Sequence, residues 1–171
     1  RAYNYSDWEI MCTPERIPEM IKIVKEHGKT IIYTEYVTKI VEQIQKSFQD
    51  AGFKVGLYIG EDKTGLIKQT QVKGAFTNPF ENGDVDVLIA SSPIAEGIDG
   101  LQQICNTVIF NGLPWTYAKF EQIIGRLLRT GQKADTVNIY TIATSKRGRR
   151  SRTAACRSPR WAGRSRACGS G

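Results

Sequence analysis

The sequence predicts an α/β fold in which a parallel sheet is covered by helices on both faces. Three observations carry this. Short apolar runs such as Val85 to Ala90 are near-continuous rather than alternating, the pattern of strands buried on both faces. Segments with helical spacing separate these runs, and strand–helix alternation builds parallel sheets. About 144 residues of ordinary composition then suit one domain with a sizeable core.

The elements follow in order. Pro14 to His27 reads as a helix with Thr13 as N-cap, Pro14 at the first helical position and Gly28 closing it. Thr30 to Thr34 is a short strand. Val37, Ile40, Val41, Ile44 and Phe48 then form the stripe of an amphipathic helix that ends at Gly52. Phe53 to Ile59 is the next strand, Gly60 to Gly65 a polar turn, and Leu66 to Phe76 a helix. A loop rich in Pro, Gly and Asn, Asn78 to Asp84, leads to the strand Val85 to Ala90. Thr107 to Asn111 is a further strand, Gly112 to Trp115 a turn that Trp115 packs, Thr116 to Arg129 a helix, and Thr136 to Ala143 a last strand.

Charge divides the chain unevenly. The 171 residues carry 24 Lys plus Arg against 17 Asp plus Glu, a net of +7. Nine of the basic residues and none of the acidic ones lie between Ser145 and Gly171, so residues 1–144 have a net charge of −2. The body has eleven Lys and four Arg, whereas the tail has one Lys and eight Arg. Residues 145–171 are therefore expected to be a basic, low-complexity tail without fixed structure, either a polybasic arm or a segment of different coding origin. No apolar run approaches the roughly 20 residues of a membrane helix. No signal peptide opens the chain, which begins at Arg1 as a piece of a longer protein would, so a cytoplasmic or nuclear setting and no membrane partner are expected. The four Cys are widely spaced with no C-x-x-C pair, and neither a metal site nor a disulfide framework is expected.

Gly28-Lys29-Thr30 imitates the end of a phosphate-binding P-loop. The leading Gly of that motif would fall at Ile23, and the tripeptide precedes a strand where a P-loop must precede a helix. A helix cap leading into a strand is the better reading.

The chemistry is concentrated in Gln122-Ile123-Ile124-Gly125-Arg126-Leu127-Leu128-Arg129. On a helix, Gln122, Arg126 and Arg129 fall at about 0°, 40° and 340°, one narrow polar stripe, with Ile123, Ile124 and Leu127 opposite. Guanidinium groups are always charged and present a planar fork of donors, so a phosphate is a natural counter-ion for two of them. A solvated helix face or an ion pair with the domain's own carboxylates is the plainer alternative.

Gln122-x-x-Gly125-Arg126-x-x-Arg129 resembles motif VI of superfamily-two helicases. With its lead-in from Leu113-Pro114-Trp115 and its extension to Gly131-Gln132, it resembles that motif in the Swi/Snf-type branch. Val87 to Ser91 followed by Gly97-Ile98-Asp99 is similar to motif V, and Thr30 to Tyr36 sits where motif IV should. This resemblance implies a C-terminal RecA-like, three-layer domain over residues 29–144, with residues 1–28 as an N-terminal flanking helix region.

It further implies the second motor domain of an ATP-dependent nucleic-acid helicase or translocase. Arg129 would then be an arginine finger on ATP held by a separate N-terminal RecA-like domain, with Arg126 and Gln122 also facing the nucleotide. Gly97 and Asp99 would contribute to the nucleotide side, and Thr34, Gly60 and Ser91 would contact the nucleic-acid backbone. ATP with Mg is the implied cofactor, the metal and most phosphate contacts being expected on the N-terminal domain. DNA is the implied partner, with RNA as the alternative, and the isolated chain is expected to be inactive. A non-catalytic nucleic-acid or partner-binding module with a degenerate helicase fold is the competing reading.

Overall fold

The chain runs through α1 (Tyr5–His27), β1 (Thr30–Tyr33), α2 (Lys39–Asp50), β2 (Val55–Tyr58), β3 (Thr70–Val72), β4 (Ala75–Thr77), α3 (Pro79–Asn82) and β5 (Val87–Ala90). After a 3-10 turn at Ser92–Ala95 come α4 (Leu101–Ile104), β6 (Thr107–Phe110), α5 (Tyr117–Leu127), β7 (Thr136–Thr144) and β8 (Ser151–Pro159). These elements belong to a computed structural model that describes residues 5–60, 62, 65, 70–72, 75–77, 79–96, 100–144 and 151–159. The main sheet has the order β2-β5-β1-β6-β7-β8, and its first five strands are parallel. Tyr33 pairs with both Ala90 and Phe110, and Tyr58 also pairs with Ala90, so β2, β5, β1 and β6 end together along one edge.

Alternation along the buried strands splits the core into two layers. Ile31, Tyr33, Leu88, Val108 and Phe110 share one face with Phe80 of α3 and with Ile123 and Leu127 of α5. Ile32, Val87, Ile89 and Ile109 share the other with Ile17, Met20, Ile23 and Val24 of α1 and with Ile40, Ile44 and Phe48 of α2. Each fully buried side chain of this size contributes about 1.5–3 kcal/mol relative to exposure. The expected three-layer α/β arrangement is therefore present.

Several elements differ from the sequence reading. α1 begins at Tyr5 and carries Pro14 and Pro18 in its interior, so Thr13 is not a cap. The two prolines are four residues apart and exposed, so the carbonyls that lose a donor lie on the solvent side where water can satisfy them. Thr13 is fully buried and donates its hydroxyl to the Glu9 carbonyl at 2.7 Å. The helix expected over Leu66 to Phe76 is replaced, among the described residues, by an antiparallel pair of β3 with β4. Only Lys73-Gly74 separates the two strands in sequence, a two-residue connection ending in Gly that favours a hairpin. α5 stops at Leu127, two residues earlier than expected, because Leu128 leaves the helical conformation (φ −82°, ψ 63°). Within the stretch expected to lack fixed structure, Ser151–Pro159 pairs antiparallel with β7 along nine residues. β7 is the outermost parallel strand, and an open edge offers unpaired amides and carbonyls to any segment able to reach it.

Candidate functional site

The α5 helix is positioned by both its ends and its buried face. Thr116 caps the start, its hydroxyl accepting from the Lys119 amide at 3.3 Å. Ile123 and Leu127 are buried against the sheet, with Phe120 and Ile124 half-buried beside them. The opposite side carries Gln122, Gly125 and Arg126, and these three together with Arg129 line an open cleft of about 210 Å³. The cleft thus gathers the Gln122, Arg126 and Arg129 trio that the sequence put on one stripe. Arg129 reaches it from beyond the helix rather than from its last turn.

Gln132 fixes that exit. Its side-chain amide donates to the Leu127 carbonyl at 3.2 Å and to the Cys105 carbonyl at 3.1 Å, satisfying one of the helix-end acceptors. Its backbone amide donates to the Arg129 carbonyl at 3.1 Å, and its side-chain oxygen accepts from the Ala134 amide at 3.1 Å. Arg129 is therefore an exposed residue on a backbone held from two directions.

Gly125 stands out within this lining. A Cβ built on it would meet nothing within 4 Å, and it does not have the positive φ that favours glycine. Glycine inside a helix costs about 0.5–1 kcal/mol relative to alanine, and nothing among the described residues requires it sterically.

Thr34, Ser91 and Gly60 come to the carboxyl edge of β1, β5 and β2, three adjacent strands. The Thr34 amide donates to the Ala90 carbonyl at 2.9 Å and the Ser91 amide to the Tyr58 carbonyl at 3.2 Å, so each extends the ladder by one step. Both residues are buried, and the Thr34 hydroxyl donates to the Tyr36 carbonyl at 3.2 Å. Gly60 is exposed, with a φ of 41°. Gly97 and Asp99 lie outside the described residues.

The trio and the strand edge meet at the Ser92–Ala95 turn. Arg126 donates to the Ala95 carbonyl at 2.7 Å, and Lys119 donates to the Ser92 hydroxyl at 2.7 Å. Lys119 also ion-pairs with Glu35 at 3.7 Å, and the Tyr33 hydroxyl donates to the Glu35 carboxylate. Burial pushes the Tyr33 hydroxyl well above its ordinary pKa, and the Glu35 hydrogen bond and charge push it further. None of Lys119, Glu35, Tyr33 and Gln132 was singled out as a site residue from sequence. Lys119 reaches Ser92 and Glu35, and Gln132 reaches Cys105, across 27 positions or more, and only the fold brings these together.

A second buried network lies at the β6 and β7 ends. Arg16 pairs with Glu9 at 2.6 Å, each side chain 5% exposed. Arg16 also donates to the Asn111 carbonyl and, at 2.9 Å, to the Thr144 hydroxyl. Asn111 donates to Thr13 at 3.1 Å, while its side-chain oxygen has no hydrogen-bond partner. Immediately after Asn111 the chain becomes exposed: Leu113, Trp115 and Tyr117 are 58, 67 and 73% accessible. The Trp115 ring stands nearly perpendicular to that of Tyr36, with the ring centres 6.4 Å apart.

Lys29 accounts for the P-loop look-alike. Its amine donates to the carbonyls of Phe80 and Glu81, the two middle residues of α3, and lies 5.7 Å from the Phe80 ring centre. Gly28, at φ 77°, donates to the Val24 carbonyl at 2.8 Å and closes α1. The tripeptide is structural.

The donor set of the cleft is one of cations and an amide, suited to phosphate oxygens. Among the described residues no group of three or more His, Cys, Asp or Glu side chains converges as metal ligands do. No described helix is long and apolar enough to cross a membrane.

Comparison with known proteins gives three findings. The family model described as the helicase conserved C-terminal domain matches residues 13–131. The chain is 37% identical over 130 residues to the protein described as "Uncharacterized ATP-dependent helicase YqhH" of Bacillus subtilis (strain 168). That match covers 75% of this chain and 21% of the relative, so the chain spans about a fifth of that protein's length. In fold, it is similar to the crystal structure of the C-terminal part of the Fun30 ATPase domain, with a TM-score of 0.57 and 22% identity over 75% of this chain and 40% of the other.

Proposed function

The chain belongs to the helicase conserved C-terminal domain family, with a RecA-like α/β fold, and from that premise we propose that it is the second motor domain of an ATP-dependent nucleic-acid translocase. In this reading a first RecA-like domain binds ATP and Mg, and the cleft on α5 closes over the phosphates from the other side. The observation that carries it is the convergence of Gln122, Gly125, Arg126 and Arg129 on one open cleft.

ATP supplies the phosphoanhydride bond whose cleavage drives stepping. What this chain contributes is charge and position. Arg129 is proposed as the arginine finger, because it lines the cleft as an exposed residue on a backbone held by Gln132, where a cation can be presented across a domain boundary. Arg126 sits one turn before it and is proposed to report phosphate occupancy to the Ser92–Ala95 turn it holds. Gln122 offers an amide for the phosphate oxygens or the attacking water. Gly125 leaves the space into which a phosphate can come. Gly97 and Asp99 remain proposed on the nucleotide side from their place in sequence alone.

For the nucleic acid, DNA is proposed, on the Swi/Snf-like lead-in to motif VI. Gly60 would present exposed backbone to a phosphate, while buried Thr34 and Ser91 would shape the strand edge beneath. A body near neutral charge suits contacts made by amides and hydroxyls.

The deciding experiment is Arg129→Ala in the protein that carries both motor domains. DNA-stimulated ATP turnover is expected to fall by about 10³ to 10⁵, the usual worth of such a finger, with ATP affinity little changed. Turnover that survives the substitution refutes the assignment. This chain alone is expected to show no ATPase activity.

A further inference from the structure

α5 grips the Ser92–Ala95 turn at two points. Lys119 holds its first residue through the Ser92 hydroxyl at 2.7 Å, and Arg126 holds its last through the Ala95 carbonyl at 2.7 Å. The two cations are seven residues apart on one helix, so they project from the same face about 10.5 Å from each other along the axis. Arg126 belongs to the cleft. Lys119 does not: it lies outside the lining, and its second partner is Glu35, next to Thr34 at the end of β1.

The contacts run on as a chain. Glu35 takes Lys119 on one carboxylate oxygen and the Tyr33 hydroxyl on the other, while Lys119 donates to Ser92. This chain joins the end of β1, the turn after β5 and the first turn of α5. Glu35 and Lys119 are 12% and 28% exposed in their side chains, so the chain is largely shielded from water and salt. Ser91 directly precedes the turn, and Thr34 directly precedes Glu35. Both strand-edge candidates are thus one residue from a group that Lys119 holds.

We propose that Lys119 is a positioning residue that couples the nucleotide-facing cleft to the nucleic-acid edge, fixing the Ser92–Ala95 turn and the end of β1 to the helix that carries Arg126. The proposal rests on the function proposed above. A displacement of α5 when the cleft closes is passed to Ser91 and Thr34 through Lys119, and occupancy of the strand edge is passed back by the same contacts. Thermodynamic coupling between two binding sites is reciprocal, so one linkage serves both directions.

The test uses the protein with both motor domains and measures ATP turnover with and without saturating duplex DNA. Lys119→Met keeps the alkyl stem and removes the charge and donors. It is expected to lower the ratio of stimulated to basal turnover about tenfold, within the usual range of coupling between sites, while basal turnover and the KM for ATP stay essentially unchanged. Ser92→Ala, which removes one hydroxyl, is expected to lower the same ratio. The double variant should lose no more than Lys119→Met alone, because the two groups form one contact.

A ratio unchanged in both single variants overturns the proposal. Equal losses of basal and stimulated turnover overturn it too, since they would mean that Lys119 merely supports the fold. Additive losses in the double variant would show that the contact is not the link. Should Lys119→Met fail to fold, Ser92→Ala carries the test by itself. Arg129→Ala separates the two levels: if that variant keeps its turnover, the motor reading fails whatever Lys119 does. If it loses turnover while Lys119→Met keeps full stimulation, only the coupling fails.

Discussion

Replacing Gly125 with alanine should make the domain more stable and the motor worse. The position is inside α5, where a glycine costs about 0.5–1 kcal/mol relative to alanine through the extra freedom of the unfolded chain. Apart from its chain neighbours and the backbone of its own helix, a methyl group there meets no atom within 4 Å, and it requires no unusual backbone angle, so no clash offsets that gain. Gly125 lies two residues before the helix end, which favours the lower part of the range. For a chain of this size, that corresponds to a rise in melting temperature of about 1–4 °C. Thermal and urea unfolding of this chain measure it directly.

The same methyl group would stand in the cleft between Gln122, Arg126 and Arg129. If phosphates occupy that space, misplacing them by a fraction of an ångström should lower stimulated turnover by about tenfold or more in the two-domain protein. A destabilised Gly125→Ala chain would show that the space over the helix is not open. A stabilised chain with full turnover would show that the phosphates go elsewhere, and the proposed role of the cleft would be refuted.

Two further outcomes test the scaffold. Glu9→Ala removes the partner of a guanidinium that is 5% exposed, and should cost about 3–5 kcal/mol in urea unfolding because the Arg16 charge stays buried; a loss below about 1 kcal/mol would mean that Asn111 and Thr144 suffice. Burial pushes the Cys105 thiol up from its ordinary 9.0 to about 12, so the folded state favours the protonated form. Its contribution should be fully present below pH 9 and lost as pH rises towards 12, and Cys105→Ala should remove part of that alkaline decline in unfolding free energy. An identical decline in wild type and variant would assign it to other groups, Tyr33 and Tyr58 among them.

The parts of the molecule legible in sequence are those whose cause is local. The β1, β5 and β6 strands were readable because a strand buried on both faces must be apolar throughout, and α2 because its stripe is buried at Ile40, Val41, Ile44 and Phe48. The cleft was readable because Gln122 and Arg126 share a helix face at fixed spacing. What was not legible depends on distant partners or on competing local signals. Prolines normally mark a helix start, and nothing local shows that Pro14 and Pro18 both face solvent in the middle of α1. Leu66 to Phe76 has mixed periodicity, and the two-residue connection at Lys73-Gly74 outweighs it. The Glu9–Arg16–Asn111 and Tyr33–Glu35–Lys119–Ser92 networks join residues up to about a hundred positions apart, so their members look like ordinary surface polar residues until the sheet is assembled.

The strand order also dictates a sequence of events during synthesis. β1 and β2 are consecutive in the chain but are not neighbours: β5 lies between them and pairs with both. Until residue 90 has emerged from the ribosome, neither strand has a partner in the main sheet. At about 5–20 residues per second, β1 waits several seconds with its edges open. Joining segments so far apart carries a loop-closure cost before any ladder forms, which slows assembly and prolongs exposure of apolar strands. Val87–Ala90 is the keystone of the sheet, and a nascent chain stopped before it has two strands and nothing to bridge them.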